Sequence, residues 1–264
     1  MINEIVYEEI ALSLLNEVEK GFQDYVQQFF SDNAEFDEHI RLKKEHTLRV
    51  CDEITALGES LGMNERQRAF ARVMAILHDI GRFRQFKKYH TFADAESENH
   101  SMIAVDVINE LGFNSLLSKR QNELLEKAIL NHNIPAIPDN AEPDVLFYSR
   151  LLRDADKLDI WQVSIAMNIF HKIKNEPFPD HYHPPQQILE CFENEQIILL
   201  KQVESYYDSI LFRLSWVYDL YFPYTFKQFY RRNIAGKLLD KLPYFEKKAD
   251  LKQKVIRFAR SRAN

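Results

Sequence analysis

Glycine is scarce in this chain, with 6 residues in 264. Stretches that alternate apolar and polar residues are scarce as well, which leaves little material for hairpins, sandwiches or barrels. The 2 cysteines, Cys51 and Cys191, build no disulfide framework and lack zinc-type spacing; both sit in helical patterns and read as buried thiols. No uninterrupted apolar run approaches the ~20 residues that cross a bilayer. The richest one, SILFRLSWVYDLYF at 209–222, is broken by Arg213 and Asp219. The opening MINEIVYEEI is acidic and lacks the basic start of a secretory signal, so a cytoplasmic location without a membrane partner is expected. A surplus of basic charge is missing too. The formal net charge of −6 disfavours a protein devoted to nucleic acid. The locally basic stretch EKKADLKQKVIRFARSRAN reads as a solvated amphipathic helix.

What is present is a globular balance, 45% hydrophobic and 28% charged, with apolar positions three and four apart over long segments. The fold class expected is all-α. Helices are expected over 3–31, 38–61, 64–80, 98–112, 118–132, 144–173, 186–203, 205–222, 225–242 and 244–262. Turn signals fall at Gly58, Gly62, Gly81 and Gly112, and in the proline-rich loops 133–143 and 176–185. Residues 1–185 form the expected main domain, with its motifs at about 40–165. Residues 186–264 form a helical extension, expected to pack on the same compact unit.

The informative residues are polar ones on apolar helix faces. His46 lies four residues before Val50 on the stripe of Val50, Ile54, Leu57 and Leu61. His100 heads the stripe of Ala104, Val107, Ile108 and Leu111, and His132 ends that of Leu125, Ala128 and Ile129. Phe70, Val73, Met74 and Leu77 build the inner face of a helix closed by His78 and Asp79. Asp156 follows Leu152 by four, with Asp159 on the next turn. Singly, each is more often a hydrogen-bonded core residue than a ligand. Five helices that all point imidazole or carboxylate inward are another matter, because burying such groups is costly unless they pair or bind a cation. Imidazole nitrogen together with carboxylate oxygen suits a divalent ion such as manganese, iron, nickel or zinc.

EHTLRV, LHDIG and DADKLD, in that order, resemble the HD superfamily of metal-dependent phosphohydrolases. GRFRQFKKYHTFADAESENH also resembles a bacterial subgroup whose proteins mostly carry a general hydrolase label, whereas residues 186–264 match no motif. The resemblance implies an HD-domain fold with additional C-terminal helices. It implies a metal held by His46, His78, Asp79 and one aspartate of RDADKLD, where the pattern A-D-x-L favours Asp156 over Asp154. His100 and His132 occupy the places of the histidines that bind a second metal in the expanded version of the family; with one ion they would contact the phosphate or donate to the leaving oxygen. Asn131-His132 stands where the cyclic-dinucleotide phosphodiesterases carry a histidine pair. The Gly-Tyr-Pro signature of that branch is missing, so cyclic-di-GMP is not the expected substrate and the ion count is one or two.

The function implied is hydrolysis of a phosphomonoester or phosphodiester of a small molecule, a nucleotide foremost, by metal-activated water. Manganese, iron, nickel, zinc or magnesium would serve, with Asp79 placed to bridge two ions. Phosphate calls for cations, and Arg82 and Lys157 are the candidates because each lies within a few residues of a ligand; Lys87 and Lys88 read as solvated. Asp94, Ser97 and Asn99 are candidates to orient ligands. His181 and His183 read as exposed loop histidines, and His39, His90 and His171 have no identified partner. Two alternatives stand beside this reading: a di-iron oxygenase on the same scaffold, and a non-catalytic metal- or nucleotide-binding module.

Overall fold

Residues 7–166 and 180–263 are described by the structure, a computed structural model of the chain; His171 lies outside them. Among the described residues the fold is all-α, and one isolated bridge joins His181 to Tyr244. No described helix is long and apolar enough to cross a membrane. Packing divides the chain into two units, Met1–Asp156 and Lys157–Asn264.

The first unit contains α1 (Leu12–Gln27), α2 (Ala34–Ser60), α3 (Glu65–Leu77), α4 (Gly81–Tyr89), α5 (His100–Glu110), α6 (Lys119–His132) and most of α7 (Pro143–Ala166). Polar caps set where these helices begin. Asn33 accepts from the N–H groups of Glu35 and Phe36 at the start of α2. Asn64 with Gln67 and Ser118 with Gln121 form reciprocal capping boxes on α3 and α6, and Asn99 accepts from Ser101 N–H. Each cap satisfies amide donors that a helix start leaves open. The cap at Asn99 makes His100 the first residue of α5.

The expected helix 3–31 begins only at Leu12. Residues 7–11, just before it, are not helical and are pinned where Ile10 N–H donates to the Arg66 carbonyl (3.3 Å) and Glu8 N–H to the Tyr148 hydroxyl (2.7 Å). The expected helix 64–80 ends earlier, at Leu77, and is followed by α4 in the stretch left between the expected helices 64–80 and 98–112. Its Phe83 is fully buried, with ring centroids 5.9 Å from both Phe22 and Phe29. Gly81 opens α4 because nothing larger fits: a Cβ there would lie 2.4 Å from the His100 carbonyl oxygen and 2.6 Å from Ala104 N. The absent side chain lets α4 press directly on the backbone of α5.

The second unit holds the end of α7, α8 (Gln186–Glu193), α9 (Tyr206–Ser215), α10 (Pro223–Arg231), α11 (Ile234–Leu239) and α12 (Lys248–Ser261). Leu158, Trp161, Leu214, Phe229 and Val255 are among its fully buried core residues. The expected helix 225–242 is split at Asn233, which takes a left-handed conformation (φ 52°). Tyr182 is buried and its hydroxyl donates to Asp208, while His181 and His183 on either side are exposed.

Candidate metal centre

Five helix segments of the first unit deliver polar side chains to one buried place. α3 ends at Leu77, and His78 and Asp79 form the turn into α4. His46 comes from the middle of α2, and Asp156 from α7. His46 Nε2 lies 3.2 Å from Asp156 Oδ1 and 3.4 Å from Asp79 Oδ2, while His78 Nε2 lies 3.7 and 3.6 Å from the same two oxygens. A second group meets the other oxygen of Asp79: His100 Nε2 stands 3.3 Å from Oδ1 and His132 Nε2 3.8 Å from it. The Asp79 carboxylate thus faces His46 and His78 with one oxygen, and His100 and His132 with the other.

The far side of each of three rings is tied down. His78 Nδ1 sits 2.7 Å from the Ala75 carbonyl, and His132 Nδ1 2.6 Å from the Ile129 carbonyl. His100 Nδ1 sits 2.7 Å from Asp94 Oδ2. Carbonyl and carboxylate oxygens only accept, so Nδ1 carries the proton in each ring and Nε2 presents a lone pair when the ring is neutral. His100 Nε2 and His132 Nε2 face each other at 3.0 Å. Two lone pairs at that distance repel unless a cation lies with them. His78 Nε2 and Asp156 Oδ1 are buried and make no hydrogen bond among the described residues, a costly state without a further partner. Two groupings have donor atoms close enough to share an ion: His46, His78 and Asp156, and His78, Asp79 and His132. The residues present therefore fit one or two divalent ions.

Electrostatics point the same way. Burial pushes the His132 imidazole down to about 3, helped by the neighbouring His100 and His78. Burial also lowers His100, against the pull of Asp94 and Asp79. Burial would raise the Asp79 carboxyl, yet Lys43, His78 and Arg82 hold it well below the usual range. Asp156 is held low against burial by His46 and His78. Neutral imidazoles and ionised carboxylates are the forms that ligate a metal.

A family model for the HD domain matches residues 44–161. That match assigns an HD domain to residues 44–161 of the chain. HD domains are mostly those of metal-dependent hydrolases. No curated protein and no solved structure matches the chain.

Within the HD domain the structure brings together His46, His78, Asp79, His100, His132 and Asp156. Arg82 also reaches the cluster, its Nε 3.3 Å from Asp79 Oδ1, and its Nη1 donates to Gln85 (2.9 Å), the Phe92 carbonyl (2.6 Å) and Asp94 (3.0 Å). Lys157 gives its ammonium to the main-chain carbonyl (2.6 Å) and carboxylate of Asp219. Of the orienting candidates, Asp94 holds His100 and is kept ionised, against burial, by His100 and Arg82. Ser97 accepts from Gln85 (2.9 Å), and Asn133 donates to both Asp94 (3.2 Å) and Asn99 (3.0 Å). His39 and His90 pack with Phe86 away from these contacts.

Two residues at the site escaped the sequence reading. Gln85, fully buried on α4, bridges Asp94, Ser97 and the Glu98 carbonyl. Lys43, on α2, donates to Asp79 Oδ2 at 2.8 Å. The one sequence signal for Lys43 is its place three residues before His46, one turn back on the same face.

Proposed function

We propose that the HD domain hydrolyses a phosphomonoester or phosphodiester of a small molecule, a nucleotide foremost, at a divalent ion held by His46, His78, Asp79 and Asp156. The observation that carries this reading is the meeting of buried imidazole lone pairs and ionised carboxylates on the two oxygens of Asp79. An ion bound there would supply Lewis acidity, lowering the pKa of a bound water and polarising a phosphoryl oxygen. The ions suited to this donor set remain manganese, iron, nickel, zinc and magnesium.

The chain's own groups divide the remaining work. Asp79 offers one oxygen to each histidine pair, which supports a bridging role if two ions bind. His132 keeps its proton on Nδ1 against the Ile129 carbonyl and stays neutral near pH 7. Its Nε2 therefore serves as a ligand or accepts a proton; it is not suited to deliver one to the leaving oxygen. Arg82, with 15% of its side chain exposed, brings positive charge to the site's edge, which supports an anionic ester over dioxygen chemistry. A substrate role for Lys157 would require it to leave Asp219.

The test is phosphate release from a panel of nucleotides, phosphomonoesters and cyclic dinucleotides, with each candidate ion in turn and the Asp79→Ala protein alongside. We expect turnover of at least one member, falling to background in the variant while its circular dichroism stays helical. Silence across the panel with metal bound would transfer the reading to the oxygenase or the binding module.

A further inference from the structure

Lys43 occupies an unusual position for a lysine. Only 17% of its side chain is exposed, and its ammonium lies 2.8 Å from Asp79 Oδ2. That same oxygen is 3.4 Å from His46 Nε2 and 3.6 Å from His78 Nε2. The ammonium therefore supplies positive charge where the imidazole lone pairs and the carboxylate converge. Its tethering differs from that of Arg82, whose guanidinium is held by a carbonyl and several side chains. Among the described residues the only hydrogen bond of the Lys43 ammonium is to Asp79, with the Phe92 ring 5.6 Å away. A compact charge on a flexible four-carbon stem with one partner is readily exchanged.

We propose that Lys43 is an exchangeable cation. In the metal-free protein it neutralises Asp79 where the ion would bind. A divalent ion displaces it, and its ammonium then binds the phosphate of the incoming ester. The inference rests on the phosphohydrolase reading and adds to it a substrate-binding residue and a competition between its ammonium and the ion for Asp79. Two cations within a few ångströms of one carboxylate oxygen repel strongly in a buried setting, so ion and ammonium do not share Asp79 Oδ2. The displaced ammonium stays near, because α2 fixes its Cα one turn from His46 and the face of Phe92 attracts a cation. A phosphate reaching the ion arrives with negative charge that needs a donor of this kind.

Removing Lys43 should thus have two effects of opposite sign, which general damage to the fold would not produce. Wild type, Lys43→Met and Lys43→Arg would be stripped of metal and titrated by calorimetry with manganese, and in parallel with zinc. Inorganic phosphate would then be titrated into the metal-loaded proteins. Because a charge-assisted hydrogen bond is lost, Lys43→Met should bind the ion about tenfold tighter and phosphate about tenfold weaker, with Lys43→Arg near wild type on both counts. Ion affinity unchanged or weakened in Lys43→Met overturns the competition. Phosphate affinity unchanged overturns the substrate role, and Lys43→Arg behaving like Lys43→Met shows that charge is not the cause. A wild type that binds neither ion defeats the phosphohydrolase reading and this inference together. A wild type that binds an ion, with Lys43→Met no different, defeats this inference alone.

Discussion

His78, His100 and His132 share one device: an acceptor fixed behind the ring, Ala75 O, Asp94 or Ile129 O, that sends Nε2 inward as a lone pair. Outer partners of this kind orient metal-binding imidazoles and fix their tautomer. The device carries a cost in acid. His132 is lowered to about 3 in the folded protein, against about 6.5 for an unperturbed histidine. Between those values the unfolded chain binds a proton that the folded chain refuses, so stability rises with pH across that window and is complete above it. His100, lowered by the same burial, adds to the slope. We predict that metal-free wild type loses stability between pH 7.5 and 5, with His132 contributing up to about 1.4 kcal/mol per pH unit below its unfolded pKa. His132→Gln should flatten that slope, measured by urea unfolding in chelator at both pH values. An equal loss in the variant would assign the acid sensitivity elsewhere; Asp79 and Asp156, held below the carboxylate range, lose their contribution only at lower pH. At this scale the histidines and aspartates of the cluster were legible because each shares an apolar stripe or closes one. Lys43 was not, since in RLKKEH nothing but the three-residue step to His46 separates it from Lys44, and long cationic side chains usually face water.

Among the elements, the contact between α4 and α5 sets the distance between Asp79 and His100. Gly81 permits it, and the Asn99 cap starts α5 on the residue that must reach Asp79. Gly81→Ala would place a methyl 2.4 Å from the His100 carbonyl oxygen, backbone that yields only if a whole helix moves. We predict a loss of about 1–3 kcal/mol in urea unfolding, the range for overpacking a tight core. Metal affinity should weaken as well, because α5 carries His100 with it. Unchanged stability and affinity would mean that the two helices have slack at this crossing. The sequence pattern displayed α2, α3, α5 and α6 well, since long apolar stripes and polar caps agree there. It hid α4, whose nine residues offer only Phe83 and Phe86 as a stripe among four cationic side chains. It also hid the break between α10 and α11, where Asn233 turns the chain without glycine or proline. Short elements held by tertiary packing carry little local signature.

For the whole molecule, every candidate ligand lies in the unit Met1–Asp156, and both tryptophans, Trp161 and Trp216, lie in the unit Lys157–Asn264. A ligand that binds only the folded form stabilises it by mass action, about 2.7 kcal/mol at a hundredfold excess over Kd. That stabilisation enters through the first unit. α7 crosses the division without a break: Leu151, Leu152 and Ala155 are buried before it, and Leu158 and Trp161 are core residues of the second unit after it. Unfolding the first unit therefore removes the N-terminal turns of a helix on which the second core is built, and helices lose stability when shortened. We predict that saturating manganese raises the melting temperature followed by far-ultraviolet circular dichroism by several degrees, as roughly 2–4 °C per kcal/mol implies for a chain of this size. Tryptophan fluorescence, which reports on the second unit alone, should shift by a similar amount. In Asp156→Ala both shifts should shrink together, because the variant removes the ligand nearest the division. Fluorescence that melts at an unchanged temperature while the circular dichroism transition moves would show that α7 does not transmit the stabilisation, and that residues 157–264 unfold on their own account.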